Sequence, residues 1–182
     1  MSVGRVFVAP VFLFVLVAHG TDKLAASKTT DFVISGLECG SCAYMVQYQL
    51  SQTQGVVEVE VLQGLADFAR VTYNPAQISE HQIAQSVREA VGLHGTPYIA
   101  TLKIRIAGYA KHSAQVKALF EPWKSWVGFE RSDSRADELI LSFQELKSDA
   151  KGATPRGWTL IQLADGLQRL GLKLEILTPD MP

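Results

Sequence analysis

The 182-residue chain is poor in cysteine, with only two, and shows no excess of either charge: 17 Lys and Arg stand against 18 Asp and Glu, for a formal net charge of -1. That balance excludes the strong basic excess by which nucleic-acid binders meet phosphate. No run of like charges marks a polyanion-binding tail. Long apolar runs are scarce as well. The clearest, Val6 to Ala18, has 13 residues, too few to cross a bilayer comfortably but suited to the hydrophobic stretch of a signal peptide. Arg5 is the only charge in residues 1–20, and Ala18-His19-Gly20 places small residues where a signal peptidase reads. The expectation is a signal peptide over 1–20 cut before Thr21 and an exported chain, periplasmic or secreted. The alternative is an uncleaved N-terminal membrane anchor. No cysteine lies near the segment, which excludes a lipid-modified cysteine anchor.

Apolar residues make up 47% of the chain, enough to build a core, and the length suits one or two small domains. Residues 21–30 are polar and small and read as a linker. Alternation over Asp31–Ser35 predicts a strand stopped by Gly36. A helix is expected over about 41–52, with Tyr44, Met45, Tyr48 and Leu50 as its apolar positions, ended before Gly55. Val57, Val59 and Val61 alternate with Glu58 and Glu60 as a half-buried strand. Gln63-Gly64 makes a turn, and residues 66–73 form the next strand, closed by Asn74-Pro75. Ser79 caps a helix over 80–91 whose inner face carries Ile83, Ala84, Val87 and Val91. After a loop at 92–97, residues 98–106 form a long strand. The order β-α-β-β-α-β predicts an α+β, ferredoxin-like split βαβ sandwich.

The rest repeats that order. A helix is expected over 113–126, bent or ended by Pro122, then strands over 126–130 and 138–143, a loop at 147–156, a helix over 159–170 and a last strand at 172–176. Gly36 and Gly108 hold equivalent places, which suggests two tandem copies, residues 31–100 and 101–178, only the first with cysteines. Eight strands are needed and seven are visible. One long strand serving both copies, at 98–108, resolves the count. Residues 28–98 carry 3 basic and 7 acidic side chains and residues 99–182 carry 12 and 10, so the halves are -4 and +2, a complementarity that favours their packing.

The two cysteines are Cys39 and Cys42, in the loop Gly36-Leu37-Glu38-Cys39-Gly40-Ser41-Cys42. A disulfide between such close neighbours closes a tiny loop and stabilises a fold little, so the pair is there for chemistry. Two thiolates two residues apart suit a soft ion such as Cu(I), Zn(II) or Hg(II). A following helix N-terminus favours the thiolate, while Glu38 opposes it. Structural zinc normally takes four protein ligands; two leave an open, exchangeable site, fitted to capture and hand-over, and one ion per chain is the expected load. No catalytic residue is assigned, and the chain is read as a binder and not an enzyme.

Residues 31 to about 98 resemble the heavy-metal-associated (HMA) domain family, which includes copper chaperones, N-terminal modules of metal-transporting ATPases and the periplasmic mercury-binding protein. The family pattern is a strand, Gly-Met-Thr-Cys-x-x-Cys, a helix and Gly-Val-x-x-Val-x-Val. Here it reads Gly36-Leu37-Glu38-Cys39-Gly40-Ser41-Cys42 and then Gly55-Val56-Val57-Glu58-Val59-Glu60-Val61, with Ala69 to Pro75 matching the next strand and its turn. The resemblance implies that Cys39 and Cys42 are the ligands. It implies a metallochaperone or scavenging role, with a membrane metal transporter or another metal-binding domain as partner. Leu37 replaces the usual Met and keeps a buried anchor; Glu38 replaces a usual Thr and adds charge beside the site. In the second half, Lys111 and Ala114 align with the cysteines and leave no site.

Among the other residues, His94 lies in the 92–97 loop, which the fold brings towards the cysteines; it is read first as a solvated loop histidine, with a third ligand or a supporting donor as the alternative. His81 is expected on the exposed side of its helix. His112 falls near the vacant second site. Tyr98 is assigned to core packing, as are Met45, Trp123, Trp126 and Trp158. The rival reading is a thiol-disulfide oxidoreductase: Cys39-Gly40-Ser41-Cys42 opens a helix after a strand, and Gly95-Thr96-Pro97 resembles the cis-proline loop of thioredoxin-like proteins. Against it, no Trp precedes Cys39, no Pro or His lies between the cysteines, and the hairpin at 57–73 interrupts the order.

Overall fold

The computed structural model describes residues 27–63, 67–133, 135–150 and 152–179. The expected signal peptide, most of the expected linker and Gly64 of the Gln63-Gly64 turn lie outside them. Among the described residues, no helix is long and apolar enough to cross a membrane.

The elements are β1 (Lys28–Ser35), α1 (Gly40–Ser51), β2 (Val56–Leu62), β3 (Phe68–Tyr73), α2 (Glu80–Glu89) and β4 (Ile99–Ile106). They are followed by α3 (Tyr109–Phe120), a 3-10 turn at Glu121–Trp123, β5 (Val127–Arg131), β6 (Glu138–Phe143), α4 (Leu160–Arg169) and β7 (Leu174–Ile176). The seven strands form one antiparallel sheet in the order β2-β3-β1-β4-β6-β5, with β7 also paired to β4. The run β2-β3-β1-β4 is the strand order of a ferredoxin-like sheet.

Strand β4 resolves the strand count. Its first residues pair with β1 (Ser35↔Ile99 to Val33↔Thr101) and its last with β7 (Ile104↔Ile176 to Ile106↔Leu174). Between and beside them, Thr101 to Arg105 pair with β6. The second set of strands thus has the order β5-β6-β4-β7, with β4 in the place that β1 holds in the first, and the sheet is continuous.

Alternation in β4 sends Ala100, Leu102, Ile104 and Ile106 into the core. The same core takes Val46 and Leu50 of α1, Ile83 and Val87 of α2, Val116 and Phe120 of α3, and Leu160, Leu163 and Leu167 of α4. On the other side of the sheet, Arg105 pairs with Glu138 at 2.9 Å and Glu175 at 3.0 Å, and Arg70 grips Asp31 with two hydrogen bonds across β1 and β3.

Several expectations are corrected. Strand β1 begins at Lys28, so residues 28–30 are strand and not linker. The buried stripe of α1 is Cys42, Val46 and Leu50, spaced four apart on one face, whereas Tyr44 and Tyr48 stack on each other in solvent. Helix α2 stops at Glu89, because Ala90 turns extended, and this leaves Val91 exposed. Helix α3 begins at Tyr109, but its backbone leaves helical geometry at His112, so the regular part runs from Ser113 as expected; Pro122 sits in the 3-10 turn after it. Trp126 is exposed, while Trp158 is fully buried and Trp123 packs against the core.

His81 is the largest correction. It is buried, with Nε2 at 2.7 Å from the Gln144 carbonyl and Nδ1 accepting the Trp158 N–H at 3.2 Å. It belongs to a row by which α2 holds the second half. Glu80 accepts the Leu160 N–H, Gln85 accepts the Leu146 N–H, Arg88 donates to the Phe143 carbonyl, and the Ser79 hydroxyl donates to the Arg156 carbonyl. The other oxygen of Glu80 takes Lys28 Nζ at 2.9 Å and the Tyr73 hydroxyl at 2.5 Å. Seen from the sequence, the histidine at the start of α2 reads as solvent-facing. The second half covers it.

Burial raises the Glu80 carboxyl, but Lys28 and the Tyr73 hydroxyl outweigh it and hold the group below its ordinary value of 4.5. Burial also holds the His81 imidazole below its ordinary 6.5, against the pull of the Gln144 carbonyl. Both are depressed on folding, so both contributions are present above the unfolded values and fade as pH falls through the folded ones. Stability is expected to decline with acidification first below 6.5 and again below 4.5. Urea unfolding across this range is expected to show Glu80→Gln less stable by about 1–3 kcal/mol at neutral pH. It is also expected to show the variant losing less than the parent between about pH 5 and pH 3.

Candidate metal site

The two cysteines come together at the end of β1. Ser35 pairs with Ile99, so the chain leaving β1 at Gly36 faces the chain entering β4 at Pro97-Tyr98. Gly36 has φ +93°, and a Cβ there would press on the Pro97 carbonyl and the Tyr98 ring, each at 3.4 Å. A side chain at this position is strained by the backbone and crowded by its neighbour. Leu37, 8% exposed, anchors the loop in the core, which is the role expected for it.

Cys39 is the N-cap of α1, extended at φ -159° and ψ 165°, and Cys42 ends the first turn, with its N–H on the Cys39 carbonyl at 2.9 Å. Both cysteines are free thiols, Cys39 half-buried and Cys42 buried. Their sulfurs are 3.1 Å apart. The Cys39 thiol is held below its ordinary pKa by hydrogen bonding to the Cys42 side chain and then by backbone hydrogen bonds from Cys42 and Ser41. The positive end of a helix favours the thiolate as it would any anion.

His94 reaches the same place from the 92–97 loop. Its Nε2 lies 3.6 Å from Cys39 Sγ, and its Nδ1 lies 4.0 Å from a Glu38 carboxylate oxygen. One ligand atom from each of Cys39, Cys42 and His94 lies within 4.8 Å of the other two. Tyr98, fully buried, joins this loop to the cysteines: its hydroxyl accepts the Leu93 N–H at 3.3 Å. Burial, and then hydrogen bonding to the Cys42 side chain, push the phenol pKa up. The sequence favoured core packing for Tyr98. It packs, and its hydroxyl also holds the base of the histidine loop through the Leu93 N–H.

The remaining candidates lie elsewhere. Met45 packs against the core. In the second half, α3 starts directly after Gly108, whereas α1 starts four residues after Gly36, so Lys111 and Ala114 sit within the helix and no loop corresponds to Leu37–Cys39. His112 bonds to Gln115 at 3.2 Å.

The CxxC stands where the first strand of the ferredoxin-like order passes into the first helix. No protein-family model matches the chain, and no curated protein matches it. Among solved structures, it is similar to the N-terminal soluble domains of Bacillus subtilis CopA in solution, at 19% identity over 85% of this chain and 96% of that one, with a TM-score of 0.39. A structure of the water-soluble region of the P-type ATPase CopA from the same organism matches at 19% identity over 84% of this chain and 93% of that one, with a TM-score of 0.40. The strand order and the thiol site are features of this chain's own geometry.

Donor chemistry follows from the geometry. Two sulfurs, one of them accessible, with an imidazole at the rim, suit a soft or borderline ion and leave it open to incoming ligands. The difference in access predicts ordered reactivity. With limiting iodoacetamide, Cys39 is expected to be alkylated first and Cys42 only after denaturation, as peptide mass mapping will read.

Proposed function

We propose that this chain captures one soft metal ion between Cys39 and Cys42 and passes it to another thiol-bearing site, as a carrier and not as an enzyme. The observation that carries the reading is the pair of free sulfurs 3.1 Å apart at the mouth of α1. Cys42 is buried and Cys39 is not, so an incoming thiolate reaches the ion from the Cys39 side. It adds to the metal, Cys39 leaves, and Cys42 holds the ion until a second incoming ligand replaces it. No bond to carbon is made or broken. The ion's open coordination positions serve as the point of transfer.

The partner this chemistry fits is a second two-cysteine site, on a transporter or on another metal-binding domain. The apolar stretch Val6 to Ala18 behind Arg5 supports export of the chain, and export requires the thiols to be kept reduced. The oxidoreductase reading finds no support in the fold. The β2–β3 hairpin stands between α1 and α2 in one ferredoxin-like sheet, an order that a thioredoxin-like sheet does not have.

The reduced chain is expected to bind Cu(I), Zn(II) or Hg(II) one-to-one in competition with a chromogenic chelator. A Cys39→Ala/Cys42→Ala variant is expected to bind none of them, and the loaded parent to give its ion to a small dithiol. Absence of binding, together with reduction of insulin disulfides, would falsify the carrier reading.

A further inference from the structure

We propose that His94 is a third metal ligand, through Nε2, that bends the site and selects an ion accepting three or more ligands over one held between two sulfurs in a line. This rests on the reading of Cys39 and Cys42 as metal ligands and adds to it the class of cargo.

The argument begins with distances. With metal–sulfur bonds of about 2.3 Å and metal–nitrogen bonds of about 2.0–2.1 Å, a tetrahedral angle puts sulfur and nitrogen about 3.6 Å apart and two sulfurs about 3.8 Å apart. Cys39 Sγ and His94 Nε2 stand 3.6 Å apart. The two sulfurs stand 3.1 Å apart, short of the bent geometry by about 0.7 Å and of a linear one, which needs about 4.6 Å, by about 1.5 Å. The linear arrangement therefore asks for twice the movement.

The histidine is also prepared. Glu38 Oε2 faces Nδ1 at 4.0 Å. A carboxylate on that side favours the tautomer with the proton on Nδ1, which leaves the Nε2 lone pair towards the sulfurs. The loop that carries the ring is closed on itself: a Cβ on Gly92 would lie 2.6 Å from the Thr96 carbonyl, so the five-residue return depends on glycine there. Tyr98 fixes its base through the Leu93 N–H. His94 is nonetheless 45% exposed in its side chain, so it closes on the ion from the solvent side and can swing away during transfer.

The test uses the reduced full chain with Zn(II) as the ion that takes more than two ligands and Hg(II) as the linear one, each titrated against a competing chelator. His94→Ala is expected to weaken Zn(II) by at least the roughly 10–100-fold typical of losing a supporting group at a metal site, and to leave Hg(II) unchanged. Glu38→Gln is expected to weaken Zn(II) less. In the parent, the 15N resonance of His94 Nε2 is expected to shift on Zn(II) loading. Parent-like Zn(II) binding by His94→Ala, an equal loss for both ions, or an unmoved resonance overturns the inference while Cys39 and Cys42 still bind metal. Metal binding that survives the double cysteine variant instead overturns the carrier reading beneath it.

Discussion

The pairing of β1 with β4 is the constraint on which the site depends. Its register, Ser35 opposite Ile99, sets two loops from distant parts of the chain against each other: one delivers two sulfurs, the other an imidazole. A slip of one residue would turn Phe32 and Ile34, both buried, to the opposite face of the sheet. Core packing therefore holds the register, and the register holds the donor atoms. The metal-binding chemistry needs no dedicated scaffold beyond this. The Gly36 turn, the Leu37 anchor and the Tyr98 hydroxyl only finish what the strand pairing begins.

Much of this was legible in the chain. Alternation of Val and Glu marked β2, Ser79 marked the start of α2, and the CxxC before a helix marked the thiol pair, because each is a local signal with a local cause. The failures share a different cause. His81 looks like a solvent-facing residue of an amphipathic helix until the second half is laid over it, and nothing within ten residues announces that cover. Tyr44 and Tyr48 look like core residues at helical spacing, yet the spacing of Cys42, Val46 and Leu50 defines the inner face, and a cysteine was counted as chemistry and not as part of the hydrophobic stripe. Trp126, read as core, lies at the margin, with one edge against the His81 ring. The meeting of Glu38 with His94 spans 56 positions of sequence. The βαββαβ order alone brought the two loops together on paper; the contact of the carboxylate with the ring had no local signal.

The second half holds no thiols. It takes up the polar face of α2 with hydrogen bonds to its own backbone, through His81, Gln85 and Arg88, and so fixes the helix that leads into the histidine loop. Removing a partner from one of these buried bonds leaves a polar group dry, which costs more than the bond itself contributes. The thiol loop is thus the accessible end of a body whose far side is firmly tied.

Strand β4 carries a consequence for how such a chain can be divided. Residues 99–101 complete the pairing of β1, and residues 101–106 complete that of β6 and β7. Any single cut leaves one piece without a strand it needs. Separate halves can be produced only by giving each its own copy of β4, whose inward row from Ala100 to Ile106 packs in a core common to both. Unravelling either half therefore takes from the other a strand on which its own pairing depends.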